Sequence, residues 1–196
     1  MKNIPADFMR DLSLNLLDIV MNSLTAKANS IKIIADETPA KHTFFLSVTD
    51  NGTGMTQEQA EKAADPFYTT RKKRSVGLGL SLLKEQAEKT GGTFRISSAP
   101  GKGTDIACLF NTDSIDMTPV GKMYETVATL AVANPDADFT YIRKYGDNEF
   151  VFDTKEIKRI LNGVSINDNA AAAWIREYLQ EQEFILYGGA ISNENT

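Results

Sequence analysis

The chain has one cysteine, one histidine and one tryptophan, and no apolar run long enough for a membrane span. A spanning helix needs roughly 18 or more consecutive apolar residues. A lone cysteine excludes an internal disulfide. Cys108 lies in the apolar run Ile106-Ala107-Cys108-Leu109-Phe110 and reads as a core thiol rather than a reactive one. The opening residues, Met1 to Asp7, lack the apolar stretch of a secretory signal. These absences predict a cytoplasmic protein with no membrane association. A surplus of basic charge is also missing. The net charge is −5, which argues against general nucleic-acid binding. No internal repeat is visible.

What is present suits a folded globular protein. Hydrophobic residues make up 42% and charged residues 24% of 196, enough to bury a core. The charge is divided unevenly. Residues 1–110 carry 14 basic and 12 acidic side chains, whereas residues 111–196 carry 7 and 14. That asymmetry predicts two units with different jobs. The polar, acidic stretch Asn111–Asp116 marks the boundary, giving one unit over 1–112 and a small acidic one over 113–196.

Apolar spacing predicts a helix over about 7–29, built on Phe8, Leu12, Leu16, Ile19, Val20 and Leu24. Strands are expected at 31–34 and 43–49, turning through Pro39 and Lys41. Thr56 and Gln59 fit a capping box for a short helix. A polar, basic loop covers about 65–76. A helix is expected over 78–90, stopped by Gly91-Gly92. Two strands, 94–97 and 104–110, flank the turn Pro100-Gly101-Lys102-Gly103. Beyond the boundary, Thr118-Pro119 reads as a helix start. A hairpin follows, with strands 139–142 and 150–152 around Gly146-Asp147-Asn148. Thr154 is expected to cap the next helix, and a last helix should cover about 168–184. Trp174, Ile175, Tyr178 and Leu179 offer either a small core or a docking surface, with core the plainer reading.

Three groups of residues carry chemistry. On the first helix, Asn15, Asp18, Asn22, Thr25 and Asn29 form a stripe of poor helix formers. An Asn oxygen can bind magnesium beside phosphate oxygens. A carboxylate one turn away can orient water or take a proton. Next, Asp50-Asn51-Gly52-Thr53-Gly54-Met55 ends an apolar run. An acceptor at Asp50 suits the exocyclic amine of adenine and would oppose the carbonyl of guanine. The spaced glycines let backbone approach a purine or take positive φ. Finally, Gly77-Leu78-Gly79-Leu80-Ser81 opens a helix, where free amides favour phosphate. Arg71-Lys72-Lys73-Arg74 just upstream could supply a γ-phosphate contact. Each group has a simpler reading when taken alone: a polar helix face, an Asp-Asn-Gly turn, a glycine hinge, a solvated basic loop. Together they point to an ATP site.

In order along the chain, Asp18…Asn22, Asp50-x-Gly52-x-Gly54, Pro66-Phe67-Tyr68-Thr69-Thr70-Arg71, Gly77-x-Gly79-Leu80 and Gly101-Lys102-Gly103-Thr104 resemble the GHKL superfamily. This is the ATP-binding domain of sensor histidine kinases, anti-sigma serine kinases, gyrase-type topoisomerases, heat-shock chaperone ATPases and MutL. The resemblance covers about residues 10–110 and is nearest to the histidine kinases, whose phenylalanine box Asp65 to Thr70 is similar to. It implies a two-layer α/β sandwich, the Bergerat fold, with a mixed and mostly antiparallel sheet and helices on one face. A small C-terminal α+β segment would be added to it. It implies Mg-ATP as ligand, with magnesium on Asn22, adenine on Asp50 supported by Thr104, and Asp18 as the catalytic candidate. Gly52, Gly54, Met55, Phe67, Thr69, Thr70, Lys72, Gly77, Leu78, Gly79 and Leu80 would complete the nucleotide contacts.

The chain departs from that pattern in places. The family usually has Glu where Asp18 stands, and aspartate is one methylene shorter. Ser75 stands at a position often glycine, and the lid between Thr70 and Ser75 is short. No phosphoacceptor histidine domain precedes the site, and His42 sits between two strands in a turn. The resemblance therefore implies a kinase whose acceptor is a separate protein. The alternative is an ATP-dependent switch or slow ATPase that controls assembly. Either reading leaves a homodimer open.

Overall fold

A computed structural model describes residues 11–65 and 78–189 of the chain. Six strands form one sheet in the order β3-β4-β2-β1-β5-β6. They are β1 (Ser30–Thr38), β2 (Thr43–Asp50), β3 (Thr93–Ala99), β4 (Gly103–Asn111), β5 (Asp138–Tyr145) and β6 (Asn148–Asp153). All neighbours are antiparallel except β1 and β5, which run parallel. The mixed, mostly antiparallel sheet is the one expected.

Successive side chains of a strand point to opposite faces, and one face of this sheet is apolar. Ile31, Ile33 and Ala35 of β1, Phe44, Leu46 and Val48 of β2, Ile106, Cys108 and Phe110 of β4, and Phe139 and Tyr141 of β5 are buried. Four helices cover that face: α1 (Leu12–Thr25), α3 (Leu78–Lys89), α4 (Met123–Ala133) and α6 (Asn169–Leu186). They form a layer in which α1 packs between α3 and α4, and α4 packs on α6. Helix α1 turns Leu12, Leu16, Ile19 and Val20 onto the sheet, all within 1% of complete burial. Each such side chain stabilises the fold by roughly 1.5–3 kcal/mol. Two short helices, α2 (Gln57–Ala63) and α5 (Thr154–Ile160), lie outside this layer, on β3 and β5. Among the described residues no helix is long and apolar enough to cross a membrane.

The C-terminal segment is continuous with this architecture. Strand β5 pairs with β1 along its length, from Ser30 opposite Asp138 to Glu37 opposite Tyr145. Its side chains join the same core as α1.

Several element boundaries differ from the sequence reading. Within the described residues, α1 begins after its N-cap Asp11, whose carboxylate accepts from Leu14 N–H at 2.9 Å. It ends at Thr25, because Lys27 takes a left-handed φ of 62° and turns the chain out. Strand β1 continues to Thr38, well past the expected 34. Thr118-Pro119 does not start a helix, and α4 begins at Met123. The carbonyls of Pro119 and Val120 instead accept from the free amides of Leu12 and Ser13, so this stretch caps α1. The cap of α5 is Asp153, not Thr154; the Thr154 hydroxyl is buried and accepts from Phe139 N–H. Trp174 is 41% exposed and stacks on Tyr178 with ring centroids 5.4 Å apart, while Ile175 and Leu179 fill the core. The Thr56–Gln59 capping box is present.

The far end of the inward face holds a buried cation. Arg143 continues the inward series Phe139, Tyr141, and is fully buried. It donates to Glu183 and Glu37 carboxylates at 3.2 and 3.1 Å, to the Ala35 and Lys144 carbonyls, and to the Tyr187 hydroxyl. The guanidinium also lies over the Phe44 ring, 5.6 Å from its centroid. Burial raises the carboxyl of Glu183 above its ordinary value, against the pull of Arg143. This cluster ties the C-terminal end of α6 to β1 and β5.

Candidate nucleotide site

The site forms where α1, the end of β2 and the start of α3 meet. Asp50 is the last residue of β2 and shares the inward parity of Phe44, Leu46 and Val48. Its side chain therefore points under the helix layer and is only 8% exposed. Both carboxylate oxygens are engaged. Oδ2 accepts from the Ser23 hydroxyl at 2.6 Å, and Oδ1 accepts from Gly52 N–H at 2.8 Å. Across the sheet Asp50 pairs with Thr104.

The glycines are spatially required here. A Cβ on Gly52 would stand 2.8 Å from the Ala26 carbonyl oxygen. Gly54 has φ +64°, and a Cβ would meet the Ala99 oxygen at 2.0 Å. Gly103, at φ +80°, approaches the Asp50 carbonyl so closely that a Cβ would lie 1.8 Å away. Thr53 N–H donates to Ala26 and Gly101 N–H to Thr53, which fastens the loop to the end of α1 and to the β3–β4 turn. Met55 N–H donates to Ser98 Oγ at 2.9 Å, and Ser98 in turn lies 3.0 Å from Thr104 Oγ1. The wall behind Asp50 is thus assembled from backbone.

Asp18 and Asn22 lie one turn apart on the exposed face of α1, as predicted. Of the rest of the expected stripe, Thr25 stays on that exposed face, whereas Asn15 and Asn29 do not join it. Asn15 is 7% exposed and donates to Gln86 Oε1, linking α1 to α3. Thr25 donates to the Met21 carbonyl. Asn29 lies beyond the helix and pairs with Asn51, whose Oδ1 accepts from Asn29 and Ser30 N–H. Gly79, in the first turn of α3, abuts Asp18: a Cβ there would fall 2.9 Å from Asp18 Cβ and 3.2 Å from its Oδ2. Only glycine lets the start of α3 pass that carboxylate. Leu80 is half-buried beside it. Phe67, Thr69, Thr70, Lys72 and Gly77 lie outside the described residues, as do the basic run Arg71–Arg74 and Ser75; of Leu78 only the backbone is described.

Asp18, Asn22, Asp50 and the glycines at 52, 54 and 79 thus converge on one end of the molecule. Among the described residues no group of three or more His, Cys, Asp or Glu side chains gathers as a metal centre. His42 is in the turn expected for it, with φ 52° and an exposed Nδ1 contact to the Asp113 carboxylate at 2.9 Å. It lies beside the start of β2, the opposite end from Asp50. Cys108 is buried and its thiol is pushed up to about 12 by that burial, as suits a core residue. The sequence reading missed Ser23, the partner of Asp50. Its signal was positional: Leu12, Leu16, Ile19, Val20 and Ser23 share the inward face of α1.

Parts of this chain are similar to known proteins. Sensor histidine kinase ZraS of Escherichia coli O157:H7 is 36% identical over 90 residues, covering 45% of this chain and 19% of that kinase. Sensor histidine kinase YxdK of Bacillus subtilis is 39% identical over 71 residues, covering 34% of this chain and 22% of its own length. The chain spans about a fifth of the length of these curated relatives. Among solved structures, the Aquifex aeolicus MutL ATPase domain complexed with ADP superposes with a TM-score of 0.47 at 17% identity, covering 69% of this chain and 61% of that one. Residues 6–114 match the family described as histidine kinase-, DNA gyrase B-, and HSP90-like ATPase, and the chain belongs to that family.

Proposed function

We propose that the chain binds Mg-ATP at this site and transfers the γ-phosphate to a residue of a separate protein. The observation that carries the reading is Asp50: a nearly buried acceptor at a strand end, backed by loops that only glycine can build. A carboxylate there accepts from the amine of adenine and repels the carbonyl of guanine. Asn22 would hold magnesium through its amide oxygen. Few protein ligands are needed, because magnesium keeps waters and takes phosphate oxygens as ligands. When bound, the ion neutralises charge that develops on the transferred phosphoryl group. The first turn of α3 would present backbone amides to the polyphosphate, and Gly79 lets that turn pass close beside Asp18. Asp18 is the candidate base, able to orient or deprotonate an attacking hydroxyl or water. The similarity of part of the chain to sensor histidine kinases is what supports transfer over plain binding.

A second reading is an ATP-dependent switch. It is favoured by one feature: Asp138 N–H, at the start of β5, donates to the Asn29 carbonyl at 2.9 Å. Asn29 is paired with Asn51 of the nucleotide loop, so the acidic segment 113–196 is one residue from the site. In that reading the segment would be the partner-docking part of the chain. Incubation with γ-labelled ATP and extract from the source organism separates the two. Label on a second polypeptide, lost with Asp18→Asn while ATP still binds, supports the kinase. Tight ATP binding with no label transferred, and a nucleotide-dependent change in assembly size, supports the switch and refutes the kinase.

A further inference from the structure

Ser23 follows Asn22 on α1 but faces the other way, into the core, where it is 4% exposed. A serine inside a helix ordinarily returns its hydroxyl to the carbonyl one turn earlier. That carbonyl, Ile19, is available here at 3.4 Å. The Asp50 Oδ2 atom is much nearer, at 2.6 Å, so the hydroxyl donates to the carboxylate. Gly52 N–H holds the other oxygen at 2.8 Å. The carboxylate plane is therefore pinned from both sides before any ligand arrives.

The pinning has a chemical consequence. An ionised carboxylate only accepts, with about two lone-pair directions on each oxygen. One donor on each oxygen leaves the remaining lone pairs fixed in direction. A donor in the ligand meets them at no cost of reorganisation, whereas an acceptor meets a group that cannot turn away. Without Ser23 the carboxylate could rotate about its Cβ–Cγ bond, and the penalty against an acceptor would soften.

We propose that Ser23 is a positioning residue that sets the preference for an amino-purine over an oxo-purine nucleotide, acting through the Asp50 carboxylate. The inference rests on the reading of this site as an ATP site. The test is calorimetric titration of the full chain and of Ser23→Ala with Mg-ATP, Mg-GTP and the triphosphate of purine riboside, which lacks the exocyclic amine. Ser23→Ala should weaken ATP about tenfold, the effect of one hydrogen bond to a charged group. It should leave the amine-free analogue within about twofold, because that ligand offers no donor to Asp50. The ATP-to-GTP affinity ratio should fall accordingly. Ser23→Thr, which keeps the hydroxyl, should recover most of the ratio. In an Asp50→Asn background, Ser23→Ala should cost nothing more, since the two residues act as one unit. If Ser23→Ala fails to fold, Ser23→Cys, with its weak donor, carries the same comparison. Equal losses for ATP and the amine-free analogue would make Ser23 a merely structural residue and overturn the inference. So would an unchanged ATP affinity. Failure of the unaltered chain to bind ATP would instead overturn the underlying site reading.

Discussion

Replacing Asp50 with asparagine isolates the recognition chemistry with minimal change of shape. In the native chain both carboxylate oxygens accept, one from Ser23 and one from Gly52. Asparagine keeps a single oxygen and brings two donors. The Gly52 amide cannot reverse its polarity, so the amide oxygen must turn to it. The new NH2 then faces Ser23, whose hydroxyl can respond by accepting the amide hydrogen and donating to the Ile19 carbonyl, 3.4 Å away. The empty protein therefore loses little, under about 1 kcal/mol, because each local donor finds an acceptor. The bound state does not recover in the same way. The adenine amine now meets a donor in a pocket that is 8% exposed at this side chain. One unsatisfied buried donor costs about 1–3 kcal/mol, so ATP affinity should drop roughly 5- to 150-fold. Calorimetry gives the affinity and urea unfolding gives the stability. Unchanged ATP affinity would refute the assignment of Asp50 to the base. A loss matched by an equally large fall in stability would show that the substitution had broken the fold rather than the contact.

Three further outcomes follow from the same geometry. Arg143→Met should destabilise the chain by about 3–5 kcal/mol in urea unfolding, because the Glu37 and Glu183 carboxylates lose their buried cation. Burial raises the Glu183 carboxyl above 4.5, so the native state holds that proton more firmly than the unfolded chain. Its contribution favours folding at low pH and fades as pH rises through the raised value, so the Arg143→Met deficit should shrink in acid; a deficit below 1 kcal/mol at neutral pH would contradict the cluster's role. Gly103→Ala forces a Cβ to within 1.8 Å of the Asp50 carbonyl at φ +80° and should cost more than about 3 kcal/mol, as well as ATP affinity. A stable, ATP-competent variant would mean that the β2–β4 contact is not needed. Cys108, pushed up to about 12, should resist thiol reagents at pH 8 until the chain is unfolded. Because the unfolded thiol ionises first, near 9.0, its contribution to stability is lost as pH rises from there, and Cys108→Ala should flatten that alkaline loss.

Local signals were legible and long-range ones were not. Asp50, the positive-φ glycine at 54 and the Thr56–Gln59 box each follow from residues adjacent in sequence. The sheet's mixed character came with the family resemblance, not from periodicity. The parallel partnership of β1 with β5 joins segments more than a hundred residues apart, and no local pattern encodes it. Thr118-Pro119 carries a real helix-start signal, overridden because the Pro119 and Val120 carbonyls satisfy open amides of α1. Asn15 and Asn29 looked alike to Asn22 in spacing; burial against α3 removed the first and the left-handed Lys27 removed the second. Arg143 lies just past the strand expected at 139–142, and only the extension of β5 to Tyr145 places it in the inward series Phe139-Tyr141-Arg143. Only the fold reveals Glu37 and Glu183 as the partners that permit a cation there.

The central claim is that a pinned carboxylate at the end of β2 selects an adenine nucleotide. Titration of the purified chain with Mg-ATP and, separately, Mg-GTP tests it most directly. The account predicts saturable ATP binding and at least about tenfold weaker GTP binding, the price of an acceptor facing Asp50. Equal affinity for both nucleotides, or none for ATP at millimolar concentration, would contradict it.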